Sequence, residues 1–195
     1  ENQFFWQSVN YLESHDDYTL VDRLLQPDQD GVVRITPKAV QQVRLAIALI
    51  LLSPGIPMIS AGQDLMRNKK GNRNTYLRGD LNEIDYSKSE EFSDLTSDLK
   101  ALIEFRLSDK AFFLRPKTRQ EWQYDVMPMG GLNFLCLHIF EHGGEQSFLL
   151  YFNLSEEGID LRVPQGYEIL LCPEAVSETE KLESLGYAVA GLKNS

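Results

Sequence analysis

Val9, Tyr11 and Leu12 begin the chain's apolar pattern as a short strand, and the polar run Glu13-Ser14-His15-Asp16-Asp17 stops it at once. LVDRLL, residues 20–25, predicts a short helix. QPDQDG over 26–31 predicts a turn punctuated by Pro, Asp and Gly. In ITPKAVQQVRLAIALILL, Val40, Val43, Ile47 and Ile50 or Leu51 recur at helical spacing. Thr36 offers an N-cap oxygen, and Pro37 takes the first helical position, where its missing N–H has no partner to lose. Pro54 and Gly55 end that helix. IPMISAG, residues 56–62, is short and apolar and reads as a buried parallel strand. From Gln63 to Lys88 no period is sustained, and a loop of that length is usually functional or disordered. Helical spacing returns in SDLTSDLKALIEFRLSD, capped by Ser93 or Asp94, with Leu95, Leu99, Leu102 and Ile103 on one face.

Near Lys110 the texture changes to short strands: EWQYDVMP, LNFLCLHIFE, QSFLLYFNLS, GIDLRVP, YEILLCPE and YAVAGLK. Gly130-Gly131, Gly143-Gly144, Glu157-Gly158 and Gln165-Gly166 separate them. Strands at this spacing predict a small antiparallel sandwich. The earlier order of strand, helix, strand, helix predicts parallel βα units. The fold class expected is therefore α/β followed by all-β, with a boundary between residues 1–109 and 110–195. Two βα units make neither a closed barrel nor a complete sheet, and the chain begins at Glu1 within structured sequence, so it reads as an excised piece of a larger protein.

Composition narrows the function classes. Of 195 residues, 43% are apolar and 25% charged, which suffices for a packed core. The net charge of -10 argues against nucleic acid or an anionic membrane as the main partner, and a neutral ligand such as a sugar fits it. The longest apolar run, Ala46 to Leu52, is too short to span a bilayer, and no signal peptide is visible. The compartment is undetermined: extracytoplasmic and cytoplasmic settings are both compatible. Cys136 and Cys172 sit in apolar runs and read as buried free thiols.

Two stretches carry candidate chemistry. His15 beside Asp16 is, by itself, equally a hydrogen-bonded loop histidine, part of a metal site, or a functional pair. Its place at the C-terminal end of a strand in a βα protein favours function. The second stretch is LLSPGIPMISAGQDLMRNKKGNRNTYLRGDLNEIDY, residues 51–86. Together the two resemble the end of the catalytic barrel of the α-amylase superfamily, glycoside hydrolase family 13. VNYLESHDDYTLVDRL resembles the segment at barrel strand 7, and GIPMISAGQDLMR resembles strand 8 and its exit. RNKKGNRNTY and NEIDY look most like pullulanase and isoamylase-type debranching enzymes. The resemblance implies a (β/α)8 TIM barrel ending near residue 109 and a C-terminal β-sandwich over 110–195. It covers most of the chain, and its motifs lie before residue 87.

The same resemblance implies a hydrolase acting on α-glucans, with α-1,6 linkages favoured and a retaining mechanism. His15 and Asp16 would hold the sugar ring at the cleaved bond, with Asp16 stabilising the oxocarbenium-like transition state. Asp17, Asn72, Asn74 and Tyr76 would bind substrate. No cofactor is implied. Calcium is compatible with the family but not indicated by these residues. Retaining glycosidases need a nucleophile and an acid/base carboxylate. In the family these lie on barrel strands 4 and 5, so this chain is expected to be inactive alone. A non-catalytic sugar-binding or structural module on an amylase-like scaffold is the alternative. Self-association through the incomplete barrel is a further expectation.

Three positions depart from the family pattern: Asp17 stands where Asn is usual, Asp64 where Glu is usual, and GDLNEIDY is one residue short. Other residues are read as structural. His138 alternates within an apolar strand, His142 lies in a turn, and Trp6 and Trp122 fit packing better than sugar stacking. Arg67, Lys69 and Lys70 read as a solvated loop face. Asp85 is equally a helix cap or a functional carboxylate.

Overall fold

The computed structural model describes residues 8–115, 122–128, 133–143, 145–173 and 181–193. Trp6 and the Gly130-Gly131 turn lie outside these residues. The chain divides into two compact units, Gln7–Ile103 and a second that takes in Glu104–Ser195.

In the first unit, β1 (Val9–Asn10) pairs in parallel with β2 (Ile56–Pro57). This is the only parallel pairing among the described residues. The glycine before β2 makes the approach possible. Gly55 has φ +120, and a Cβ there would stand 2.6 Å from Ser8 Oγ and 2.9 Å from its carbonyl oxygen. The expected burial of residues 56–62 is not found. Ile56 is 56% exposed, Val9 and Tyr11 are also exposed, and the strand lasts two residues. A two-stranded sheet has two open edges, and among the described residues nothing covers this side of it.

α1 (Leu20–Leu24) starts on a capping box: Thr19 Oγ1 accepts from Asp22 N, and Asp22 accepts in return from Thr19 N. α2 (Pro37–Leu52) starts where Thr36 Oγ1 accepts from Ala39 N, and it buries Val43, Ile47, Ile50 and Leu51. The 63–88 loop contains a 3₁₀ turn at Gln63–Leu65, the four-residue α3 (Gly79–Asn82) and a 3₁₀ turn at Tyr86–Ser89. Asp85 caps that last turn, its Oδ1 accepting from Ser87 N. α4 (Ser93–Leu107) buries Leu95, Leu102 and Phe105, while Ile103, expected on that face, is exposed.

The second unit holds a five-stranded sheet in the order β3-β4-β5-β9-β7, antiparallel throughout. Its strands are β3 (Trp122–Pro128), β4 (Phe134–Glu141), β5 (Ser147–Asn153), β7 (Tyr167–Leu171) and β9 (Tyr187–Leu192). The predicted strand over 158–164 shrinks to β6 (Ile159–Asp160), which pairs with the unforeseen β8 (Lys181–Leu182). Every residue of β5 is buried, because both faces of this central strand are covered. Leu149 and Tyr151 pack with Cys136, Ala188, Ala190, Leu161 and Leu182. On the opposite face Phe148 stacks on Phe113 at 3.8 Å, with Phe112 and Trp122 edge-on or tilted around it. The packing role expected of Trp122 follows from this. Cys136 is a buried free thiol, and Cys172, expected buried, is only half so. His138 Nε2 meets Ser147 Oγ at 2.7 Å, and Ser147 Oγ meets the Tyr167 hydroxyl at 2.6 Å.

Candidate active site

The segment after β1 separates its acidic residues by fate. Glu13 turns inward and is buried; its Oε2 accepts from Leu20 N at 2.5 Å and its Oε1 lies 3.5 Å from Arg67 Nη2. His15 and Asp16 turn outward. Their side chains are 91% and 85% exposed, with His15 Nε2 3.3 Å from Asp16 Oδ2. Asp17 is different again. Its backbone is left-handed at φ +63, a region in which Asp and Asn are the best tolerated residues after glycine. Its Oδ1 accepts from Tyr18 N at 2.8 Å and from Arg73 Nε at 3.0 Å, and Arg23 Nη2 stands 3.3 Å from Oδ2. The backbone bond from Tyr18 first, then the Arg73 bond, hold the Asp17 carboxyl below its ordinary value. The backbone at this position therefore suits Asn or Asp.

The Arg73–Asp17 pair brings residues 72–74 against residues 15–17. The Asn72 amide donates inward to the Lys69 and Lys70 carbonyls, at 2.9 and 3.1 Å. Asn74 Oδ1 faces Tyr76 N at 3.5 Å, and the Tyr76 side chain stands out in solvent with Leu77. Below them Thr75 is buried and locked to Asn82, whose amide donates to the Thr75 carbonyl and whose Oδ1 accepts from Thr75 Oγ1. Asp64 reaches α4, its Oδ2 accepting from Thr96 Oγ1 at 3.0 Å.

Lys69 overturns the reading of a solvated basic loop. Its neighbour Lys70 is exposed, but Lys69 is fully buried. Lys69 Nζ donates to the carbonyls of His15 and Asp17 at 2.9 and 2.8 Å. Its backbone N donates to Asp22 Oδ2 and Gly71 N donates to Asp22 Oδ1, both at 2.9 Å. The Arg67 side chain is also largely buried, between Glu13 and Ser60. These buried groups follow from tertiary position; only Asp22 had a sequence signal, the Thr-x-x-Asp of its capping box. Among the described residues no group of three or more His, Cys, Asp or Glu side chains comes together as a metal site. Nor is any described helix long and apolar enough to cross a membrane.

No protein-family model matches the chain. It is 37% identical over 180 residues to the pullulanase of Bacillus subtilis (strain 168), a match covering 88% of this chain and 24% of that protein. It is 31% identical over 172 residues to the isoamylase of a Flavobacterium species, covering 76% of this chain and 21% of that one. The fold matches the crystal structure of an Anoxybacillus sp. LM18-11 pullulanase complexed with maltotetraose, with TM-score 0.74 over 98% of this chain and 29% of that one, at 21% identity. The chain is thus homologous to the debranching enzymes of glycoside hydrolase family 13. Its relatives there are pullulanases and isoamylases, and it spans no more than about a quarter of the length of these two curated relatives.

Proposed function

We propose that this chain forms part of an α-glucan debranching glycosidase. Residues 1–109 supply the last βα units of a (β/α)8 barrel, and residues 110–195 supply a C-terminal β-sandwich. The ligand is an α-glucan oligosaccharide or polysaccharide, and the bond is an α-1,6 branch. One observation carries the reading: in a chain homologous to debranching enzymes, His15 and Asp16 stand almost fully exposed on a backbone that is tied down from beneath. An exposed, rigidly presented carboxylate suits a ring whose charge grows positive during cleavage. His15 donates to a hydroxyl of the same ring. Asn74 and Tyr76 flank the sugar, and Asn72 shapes the turn that carries them. Asp17 already has two arginine partners and a backbone partner, so it acts by shaping the loop more than by touching the ring. The mechanism is retaining, needs no cofactor, and takes its nucleophile and acid/base carboxylates from other segments of a longer enzyme; this chain by itself is inactive.

The test is made in a full-length enzyme carrying this chain, on pullulan. Asp16→Asn lowers kcat about a hundredfold or more with KM much less affected, since a charge-assisted contact made chiefly in the transition state is worth about 3–4 kcal/mol. Asp17→Asn, which keeps a side chain suited to the left-handed backbone, changes kcat far less. Equal losses in the two variants refute the assignment of Asp16.

A further inference from the structure

We propose that Lys69 is a positioning residue, whose buried ammonium sets where His15 and Asp16 stand by gripping the backbone on both sides of Asp16. The role rests on the sugar-site reading above. Lys69 Nζ holds the carbonyl of the residue before Asp16, at 2.9 Å, and that of the residue after it, at 2.8 Å. A carbonyl fixed on each side fixes the peptide planes between which the Asp16 Cα hangs. The direction of an otherwise exposed side chain is then decided from below. The loop needs this hold, because Asp17 occupies a left-handed backbone that non-glycine residues reach only at a cost.

The grip is itself anchored. Asp22, buried at the start of α1, takes the backbone N–H groups of Lys69 and Gly71 on its two oxygens, along with the Thr19 hydroxyl at 2.7 Å. The 63–88 loop is thereby fixed to the helix and reaches back to residues 15–17. The residue type fits the task. An ammonium is a compact head with three donors, able to serve two divergent carbonyls, whereas a guanidinium is a planar fork made for a flat bidentate acceptor. An apolar side chain would fill the same volume without the cost of burying a charge. What the charge adds is direction, and it is aimed at the backbone that carries the exposed His-Asp pair.

Lys69→Met tests this, since it keeps the stem and removes the donors. By NMR on the chain, the amides of Asp16, Asp17 and Tyr18 are expected to exchange about tenfold faster or more in Lys69→Met, with α2 amides unchanged. In the wild type, maltotetraose is expected to shift the His15 ring signals; Lys69→Met needs about tenfold more sugar for the same shift, and Lys69→Arg recovers part of it. Unchanged exchange at residues 16–18 in folded Lys69→Met overturns the proposal. If that variant does not fold, the wild-type ammonium decides: scalar couplings from Lys69 Nζ to the carbonyl carbons of His15 and Asp17 support the grip, and a rapidly exchanging Nζ refutes it. A wild type whose His15 signals ignore maltotetraose counts against the sugar site instead, and the exchange rates alone then uphold or overturn the grip.

Discussion

The two units put different chemistry in their interiors. In Gln7–Ile103 the buried residues include Glu13, Thr19, Asp22, Gln63, Lys69 and Thr75. Three of them join segments far apart in sequence: Glu13 with Arg67, Asp22 with Lys69 and Gly71, Lys69 with His15 and Asp17. In the second unit the sheet is filled by Phe148, Leu149, Leu150, Tyr151 and Phe152, and its buried polar side chains bond locally or to neighbouring strands: Asn153 ties a turn, Ser147 meets His138 and Tyr167, and Arg106 donates to the Leu114 carbonyl. The difference matches the tasks. An apolar core is strong but non-directional, so it suits a sheet that has only to persist. Hydrogen bonds to buried charge are directional, and every member of such a network must be satisfied. That is the means by which an irregular loop is held in one shape while His15 and Asp16 stay exposed above it.

The largest effect that sharpens this contrast is expected at Asp22. Asp22→Ala removes the acceptor of the N–H groups of Thr19, Lys69 and Gly71 and of the Thr19 hydroxyl. With each orphaned buried donor costing about 1–3 kcal/mol, partly relieved by water, the loss should reach about 3–5 kcal/mol. Urea unfolding followed separately in the two units should show it in the first. A loss under 1 kcal/mol would mean that the network is decorative.

The matching change in the second unit is Leu150→Ala. Leu150 is fully buried in the middle of β5, so deleting three carbons leaves a cavity, at a cost of about 2–5 kcal/mol. The two substitutions should be alike in their dependence on salt. High salt should leave the Leu150 loss unchanged and alter the Asp22 loss only slightly, because salt screens a buried charge much less than an exposed one.

The pattern along the chain revealed elements better than it revealed neighbours. α2, α4 and the strands of the sheet announce themselves by local period, and Thr36 and Pro37 mark a helix start on chemistry that needs only four residues of context. The insertion of β9 between β5 and β7 could not be read, because which edge a strand takes depends on contacts between distant residues. Lys69 and Lys70 look alike in RNKKGNRN, yet one is buried and the other exposed. Only the carbonyls of residues 15 and 17, more than fifty positions away, distinguish them. Ile56 misled in the opposite direction. An apolar run promises burial only if something is present to cover it.

A smaller, pH-dependent effect separates the units further. Burial pushes the Cys136 thiol up to about 11 from an ordinary 9.0, and pushes the Tyr151 hydroxyl up as well. A raised pKa means that the folded form holds its proton where the unfolded form has released it. The stabilisation is complete below pH 9 and is lost as pH rises through about 11. Melting curves should therefore fall for the second unit between pH 9 and 11. Cys136→Ala, though less stable at pH 7, should show a shallower decline there. An identical slope would rule out Cys136 as a source of the decline.

The smallest effect is expected at Ile56. It is 56% exposed on a two-residue strand, beside Val9 at 51%, so Ile56→Ser removes little buried area, and surface changes of this kind usually stay within about 0.5 kcal/mol. The substitution matters for what it reports about the uncovered side of β1 and β2. Val9, Tyr11, Ile56 and Met58 together leave large apolar side chains in solvent, which favours association when the protein is concentrated. If nothing occupies that side, the stability of Ile56→Ser equals that of the wild type at every protein concentration. If a second copy occupies it, the wild type gains stability with concentration by mass action and the variant does not. Light scattering then gives a larger particle for the wild type alone. A concentration-independent loss of 2 kcal/mol or more would contradict both outcomes, because it requires Ile56 to be buried within its own unit.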